Sequence, residues 1–153
     1  MKVLILLATT LMASYAYAWD MPSSAITKFL AFELDGGRLS GDSDKWTEYT
    51  TKYIAAPENY DEPGWDVVTV VKSHRVLGVK CSSPASCNAT VEFSLFPTAN
   101  LQGLQVVPHP NGGKQVKIYT IVKQGNSWLI EPVFDSPIIS IQTYNRLKAQ
   151  IGH

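Results

Sequence analysis

The sequence predicts an α+β domain in which N-terminal helices pack on a curved, mostly antiparallel sheet and a further helix lies at the C-terminal end. Three observations lead there. Apolar residues recur at three- and four-residue steps between Ala25 and Leu34, valine-rich and alternating segments follow from Trp65 to Phe134, and a proline opens a last amphipathic run at Pro137.

A short leader precedes the domain. Lys2 stands before the apolar run Val3-Leu4-Ile5-Leu6-Leu7-Ala8, and small residues lead to Ala16-Tyr17-Ala18, the plan of a secretory signal with an A-x-A cleavage site. Thr9-Thr10 interrupts the run and Asp20 ends it, short of the roughly 20 apolar residues a spanning helix needs. Residues 1–18 are therefore expected to be removed as a signal peptide. Residues 19–153 then form one domain, secreted or periplasmic, without stable membrane insertion and with no junction cysteine to carry a lipid. The 13 basic and 13 acidic residues balance, and no Lys/Arg run supplies the clustered basic face that nucleic-acid binding requires.

In the first helix Ser23-Ser24 is the expected N-cap, Ala25, Ile26, Phe29, Leu30 and Leu34 form the buried face, and Asp35-Gly36-Gly37 ends it. A second, shorter helix is expected from Asp44 to Tyr53, with Trp46, Tyr49, Thr50 and Tyr53 on one face. Breakers then accumulate from Ala55 to Gly64, a loop.

Trp65 to Val79 carries Val67-Val68 and Val70-Val71 and reads as a long strand, bent or bulged. Thr90 to Leu95 alternates, with Val91, Phe93 and Leu95 on one face. Cys81 and Cys87 flank a short Ser/Pro turn between these two strands, and export places them where disulfides persist, so a bridge is expected to pin the hairpin. Pro97 to Gly113 is a loop. Lys114–Lys123 and Trp128–Phe134 make the last strand pair; a Gly125-Asn126 turn sets Val122 opposite Leu129 and Lys123 opposite Trp128. Pro137 then opens the last helix through Ile138, Ile141, Tyr144 and Leu147-Lys148.

The stretch from Phe29 to Leu39, Trp46, and the hairpin Val122-Lys123-Gln124-Gly125-Asn126-Ser127-Trp128-Leu129-Ile130 resemble the nuclear transport factor 2-like superfamily. That resemblance implies a cone-shaped fold, shared by ketosteroid isomerases and scytalone dehydratase. Two departures stand beside it. The helix after Pro137 is an addition to the minimal fold, and the isomerases' set of aspartate base, tyrosine and protonated carboxylic acid does not map onto these residues.

Trp46, Tyr49, Tyr53, Trp65, Tyr119 and Trp128 are the candidate lining of an apolar pocket with hydrogen-bonding tips; the same residue types also fill ordinary cores. His74, in an apolar strand beside Arg75, and Asp66, at a strand start, are the candidate general bases. The histidines His74, His109 and His153 form no local metal pattern, two cysteines provide too few zinc ligands, and no phosphate loop, nucleophile elbow or cofactor motif is present. Asn88-Ala89-Thr90 is a glycosylation sequon, relevant in a eukaryotic secretory pathway.

Three functional readings follow. The first is an exported domain, without cofactor, that binds a small apolar ligand or a protein partner through the concave sheet face. The alternative is an isomerase- or dehydratase-type enzyme with His74 or Asp66 as base. A homodimer through the outer sheet face is a third class, since Val116, Ile118 and Val122 share one side of their strand while Tyr119 and Ile121 occupy the other.

Overall fold

The computed structural model describes residues 21–39, 43–58, 60–61, 67–97, 105–106 and 112–151. The leader, Trp19, Trp65, Asp66, His109 and His153 lie outside the described residues. Helix α1 spans Pro22–Leu34 and buries Ala25, Ile26, Phe29, Leu30, Phe32, Glu33 and Leu34. Its N-cap is Met21, with no side-chain cap bond, and not a serine. Pro22 takes the first helical position, where its fixed φ suits the helix and its missing N–H costs nothing, so Ser23 and Ser24 fall inside the first turn. Asp35 closes the helix and Gly36, at φ 88°, turns the chain out of it, a left-handed conformation that only glycine adopts freely. A 3₁₀ turn, Gly37–Leu39, follows.

Helix α2, Ser43–Glu48, widens into a π-helical turn over Tyr49–Tyr53. The Ile54 N–H reaches back to the Tyr49 carbonyl at 3.2 Å and closes it. Thr50 and Thr51 sit where threonine hydroxyls donate to backbone carbonyls: Thr50 Oγ1 to Trp46 at 3.1 Å and Thr51 Oγ1 to Thr47 at 2.6 Å. Such back-bonding competes with the regular ladder.

Six strands follow among the described residues: β1 Val67–Ser83, β2 Ser86–Leu95, β3 Gln105–Val106, β4 Lys114–Gln124, β5 Ser127–Ile130 and β6 Ile138–Ser140. β1, β2, β4 and β5 form an antiparallel meander in that order, while β3 and β6 pair with β1 in parallel. The sheet curls into a half-barrel. Val122 faces Leu129 and Lys123 faces Trp128, with Gly125 at φ 60° in the turn, as the turn chemistry predicts.

β1 explains its own valines. Val71 faces the main core with α1, and Val68 and Val70 face a second cluster with Ile139 and Tyr144. A strand buried on both sides reads as a continuous apolar run. From Lys72 onward the strand leaves this sandwich, and almost every residue to Ser83 is exposed. Register shifts at Val71/Ser73, Val76/Gly78 and Cys81/Ser83 supply the expected bulges.

Three expectations need correction. The loop from Pro97 to Gly113 includes the short strand β3, paired with Val67 and Val68. The last strand of the hairpin stops at Ile130, not Phe134, because Pro132 has no N–H to continue the ladder. The helix expected from Pro137 begins at Ile141. Ile138 and Ile139 are β-branched and buried, and they extend the sheet opposite Thr69 and Val70. Ser140 then caps helix α3, Ile141–Ile151, through a 3.1 Å bond from the Thr143 N–H to Ser140 Oγ.

α1 covers the inner, concave face of the sheet. Ile26, Phe29 and Leu30 meet Ala89, Val91, Phe93, Ile121 and Ile130 in one cluster. Apart from Ala89, each such fully buried side chain contributes about 2 kcal/mol.

Candidate functional site

The aromatic candidates converge where α1, the π turn and β4 meet. Phe32 stacks on Tyr49 at 5.8 Å and on Tyr53 at 4.7 Å, Phe29 lies 5.6 Å from Tyr119, and Trp46 contacts both Tyr49 and Tyr60 at 5.7 Å. Tyr60 in turn meets Phe134 edge-on at 6.0 Å. The structure therefore brings together Trp46, Tyr49, Tyr53 and Tyr119, with Phe29, Phe32 and Tyr60 between them. Trp128, half-buried on β5, packs against the same core cluster without a ring contact to these aromatics, and the Lys123 ammonium lies 6.0 Å from its ring centre. The rings pack on one another, and Phe134 carries the strip out to solvent at 69% exposure.

At the inner end of this strip lies a charged pair that sequence reasoning missed. Arg38 Nη1 donates to Glu33 Oε1 at 3.0 Å, and both side chains are at most 2% exposed. Arg38 Nη2 also donates to the carbonyls of Val133 and Asp135, at 3.0 and 2.8 Å, and the Ile138 N–H donates to Glu33 Oε1 at 2.9 Å. The pair clamps the end of α1 to the segment between β5 and β6. The signal was present in the sequence, since Glu33 sits one helical turn from Phe29 and Leu30, on the apolar face. A charge there needs a buried partner.

This clamp shapes the acidity of its neighbours. Burial, reinforced by the Glu33 charge and opposed by Arg38, pushes the Tyr119 phenol well above its ordinary value. The Tyr119 phenol thus keeps its proton in the folded protein. Tyr53 is raised by burial and by Glu48, to which it donates at 3.2 Å. Glu48 itself is held below the usual carboxylate range: desolvation pulls upward, but Lys45, Tyr53 and Lys52 together outweigh it.

His74 is exposed on β1, its ring 6.3 Å from that of Phe93, with no side-chain hydrogen bond among the described residues. It lies away from the tyrosines. A cleft of about 290 Å³ opens elsewhere, between the exit of α1 and helices α2 and α3, lined by Asp35, Gly37, Lys45 and Arg146 among others. Its cations are already engaged, Arg146 with Asp35 at 2.9 Å and Lys45 with Glu48 at 3.3 Å.

Cys81 and Cys87 are directly opposed on β1 and β2 and form the expected disulfide. No group of three or more His, Cys, Asp and Glu side chains that could hold a metal occurs among the described residues, and none of their helices is long and apolar enough to cross a membrane.

The two surfaces of the sheet beyond α1's reach differ in character. On the outer face Val116 and Ile118 are 55% and 68% exposed, and Val122 and Leu129 continue the same side. Beside it, β1 from Lys72 to Ser83 pairs only with β2 among the described residues, leaving its other edge open. That edge carries Lys72, His74, Arg75 and Lys80 and no acidic residue. In comparisons with known proteins, no family model, no curated protein and no solved structure matches the chain.

Proposed function

We propose that the protein is an exported, non-catalytic partner-binding domain of the nuclear transport factor 2-like type, and that it takes up an acidic, extended segment of its partner along the open edge of β1. The observation that carries this reading is the twelve-residue edge from Lys72 to Ser83, which pairs with no strand but β2 among the described residues and carries Lys72, Arg75 and Lys80 with no acidic residue. An unpaired strand edge offers a row of N–H and C=O groups to an incoming strand. Lys72 and Lys80 make no ion pair among the described residues, and Arg75 shares Glu92 with Lys114. A second copy of the same edge would set like charges opposite one another, which is destabilising. An acidic strand meets none of that repulsion.

The three bulges limit the regular pairing to short stretches, Ser73–Val76 and Gly78–Cys81. Such an edge suits a short segment and resists open-ended stacking. The concave face, in contrast, is occupied by α1 and its aromatic neighbours. An isomerase-type reading asks for a base in a cavity beside a tyrosine; Glu33, near Tyr119, is bound by Arg38 and Ile138, and His74 faces solvent.

Fluorescence anisotropy with a labelled decapeptide of alternating Glu and Val tests the reading. The expected result is saturable binding that weakens with salt, is absent for the Lys/Val counterpart, and is lost in Lys72→Glu with Lys80→Glu. Equal binding of both peptides, or an unaffected double variant of unchanged circular dichroism, refutes it.

A further inference from the structure

We infer that Asn88 is an asparagine-linked glycosylation site whose glycan covers the apolar stripe on the outer face of the sheet. The inference rests on the export reading of the leader, taken through a eukaryotic secretory pathway. The sequon Asn88-Ala89-Thr90 lies on β2, where side chains alternate between faces. Ala89 is fully buried against the core, while Asn88 is exposed and shares the outer face with Thr90. The acceptor amide thus points away from α1, and the folded protein can carry a bulky group there.

Two independent features sit beside it. The Cys81–Cys87 disulfide is adjacent in sequence, and such bonds form in the oxidising compartment through which glycosylated chains pass. Across the sheet, Asn88 faces Thr120 and Thr90 faces Ile118. Ile118 is therefore the diagonal neighbour of Asn88 on the same face, about 7–8 Å away. Ile118 and Val116 are the most exposed aliphatic side chains of the sheet, and apolar residues grouped on an open face mark either a contact or an association hazard. A sugar chain rooted at Asn88 lies over them.

The step is a group transfer from an oligosaccharide carried on a polyprenyl pyrophosphate. The Asn88 amide nitrogen bonds to the anomeric carbon, the bond from that carbon to the pyrophosphate oxygen breaks, and the polyprenyl pyrophosphate leaves with the electron pair. The amide proton passes to the transferase.

The test is secretion from cultured eukaryotic cells in two forms, one with residues 1–18 and one with a host leader in their place. With the host leader, a single species of increased mass is expected, returned to the polypeptide mass by peptide N-glycosidase and absent in both Asn88→Gln and Thr90→Ala. Secretion of the unmodified chain from this form overturns the inference. The form with its own leader reports separately on export: if it alone stays in the cell and unmodified, the export reading fails and the acceptor assignment stands. For the covering role, folded Asn88→Gln is expected to bind more of an apolar dye and to self-associate on size exclusion, both reversed by adding Ile118→Thr. Dye binding and elution identical to the glycosylated protein overturn that role.

Discussion

Replacing Arg38 by methionine isolates the buried clamp. The change keeps most of the side-chain volume but removes the guanidinium that reaches Glu33, Val133 and Asp135. Glu33 is then left as a buried carboxylate without its guanidinium partner, still accepting from the Ile138 N–H. Breaking one partner out of a buried pair costs about 3–5 kcal/mol. For a domain of this length that lowers the melting temperature by roughly 10–15 °C. Thermal and denaturant unfolding followed by circular dichroism measures it. A companion variant sharpens the test: the two carbonyls lose Arg38 in either case, and Glu33→Leu with Arg38→Met exchanges the stranded carboxylate for one orphaned donor, the Ile138 N–H, at about 1–3 kcal/mol. The double change must therefore be milder than Arg38→Met alone. If Arg38→Met costs less than about 1 kcal/mol, or the double variant loses the sum of both single effects, the clamp does not hold α1 to the C-terminal segment as described.

Three further outcomes are expected. Gly37→Ala places a methyl group into the Phe32 ring, itself stacked against Tyr49 and Tyr53, and costs about 1–3 kcal/mol of stability in denaturant titration. Tyr119→Phe changes the alkaline limb of the stability curve: a folded phenol raised above its ordinary value of about 10 gives stability that is complete below that pH and falls as pH rises beyond it. Denaturant midpoints measured between about pH 9 and about pH 11 decline less steeply in the variant than in the parent, the remaining slope coming from the raised Tyr53 phenol. Cys81→Ser with Cys87→Ser opens a bridge spanning a sequence separation of only 6, worth about 2 kcal/mol; amide exchange quickens first at the hairpin tip, and uniform quickening across α1 contradicts this placement.

The fold was legible wherever a single period governed a segment. Ile26, Phe29 and Leu30 repeat at helical spacing and fill the sheet's inner face; Gly125-Asn126 sets the register of β4 and β5. What escaped was decided by distant residues. Pro137 is an apt helix start by itself, yet Thr69 and Val70 recruit Ile138 and Ile139 as strand, a pairing across almost seventy residues that no local pattern encodes. The aromatic candidates were legible as a group, because Trp46, Tyr49 and Tyr53 share a helical face, but whether four rings enclose space or fill it depends on Phe29, Phe32 and Tyr60 arriving from elsewhere. The open edge of β1 was equally hidden, since an unpaired strand and a paired one have the same sequence.

The clamp between Glu33 and Ile138 bridges 105 residues. A helix near the start of the chain thus completes its surroundings only when almost the last strand has been made. Long-range closure of this kind slows folding, and here it also sets an order of events: α1 can lie on β2, β4 and β5 beforehand, but its charged end is held only once the segment from Val133 to Ile138 has come back to it.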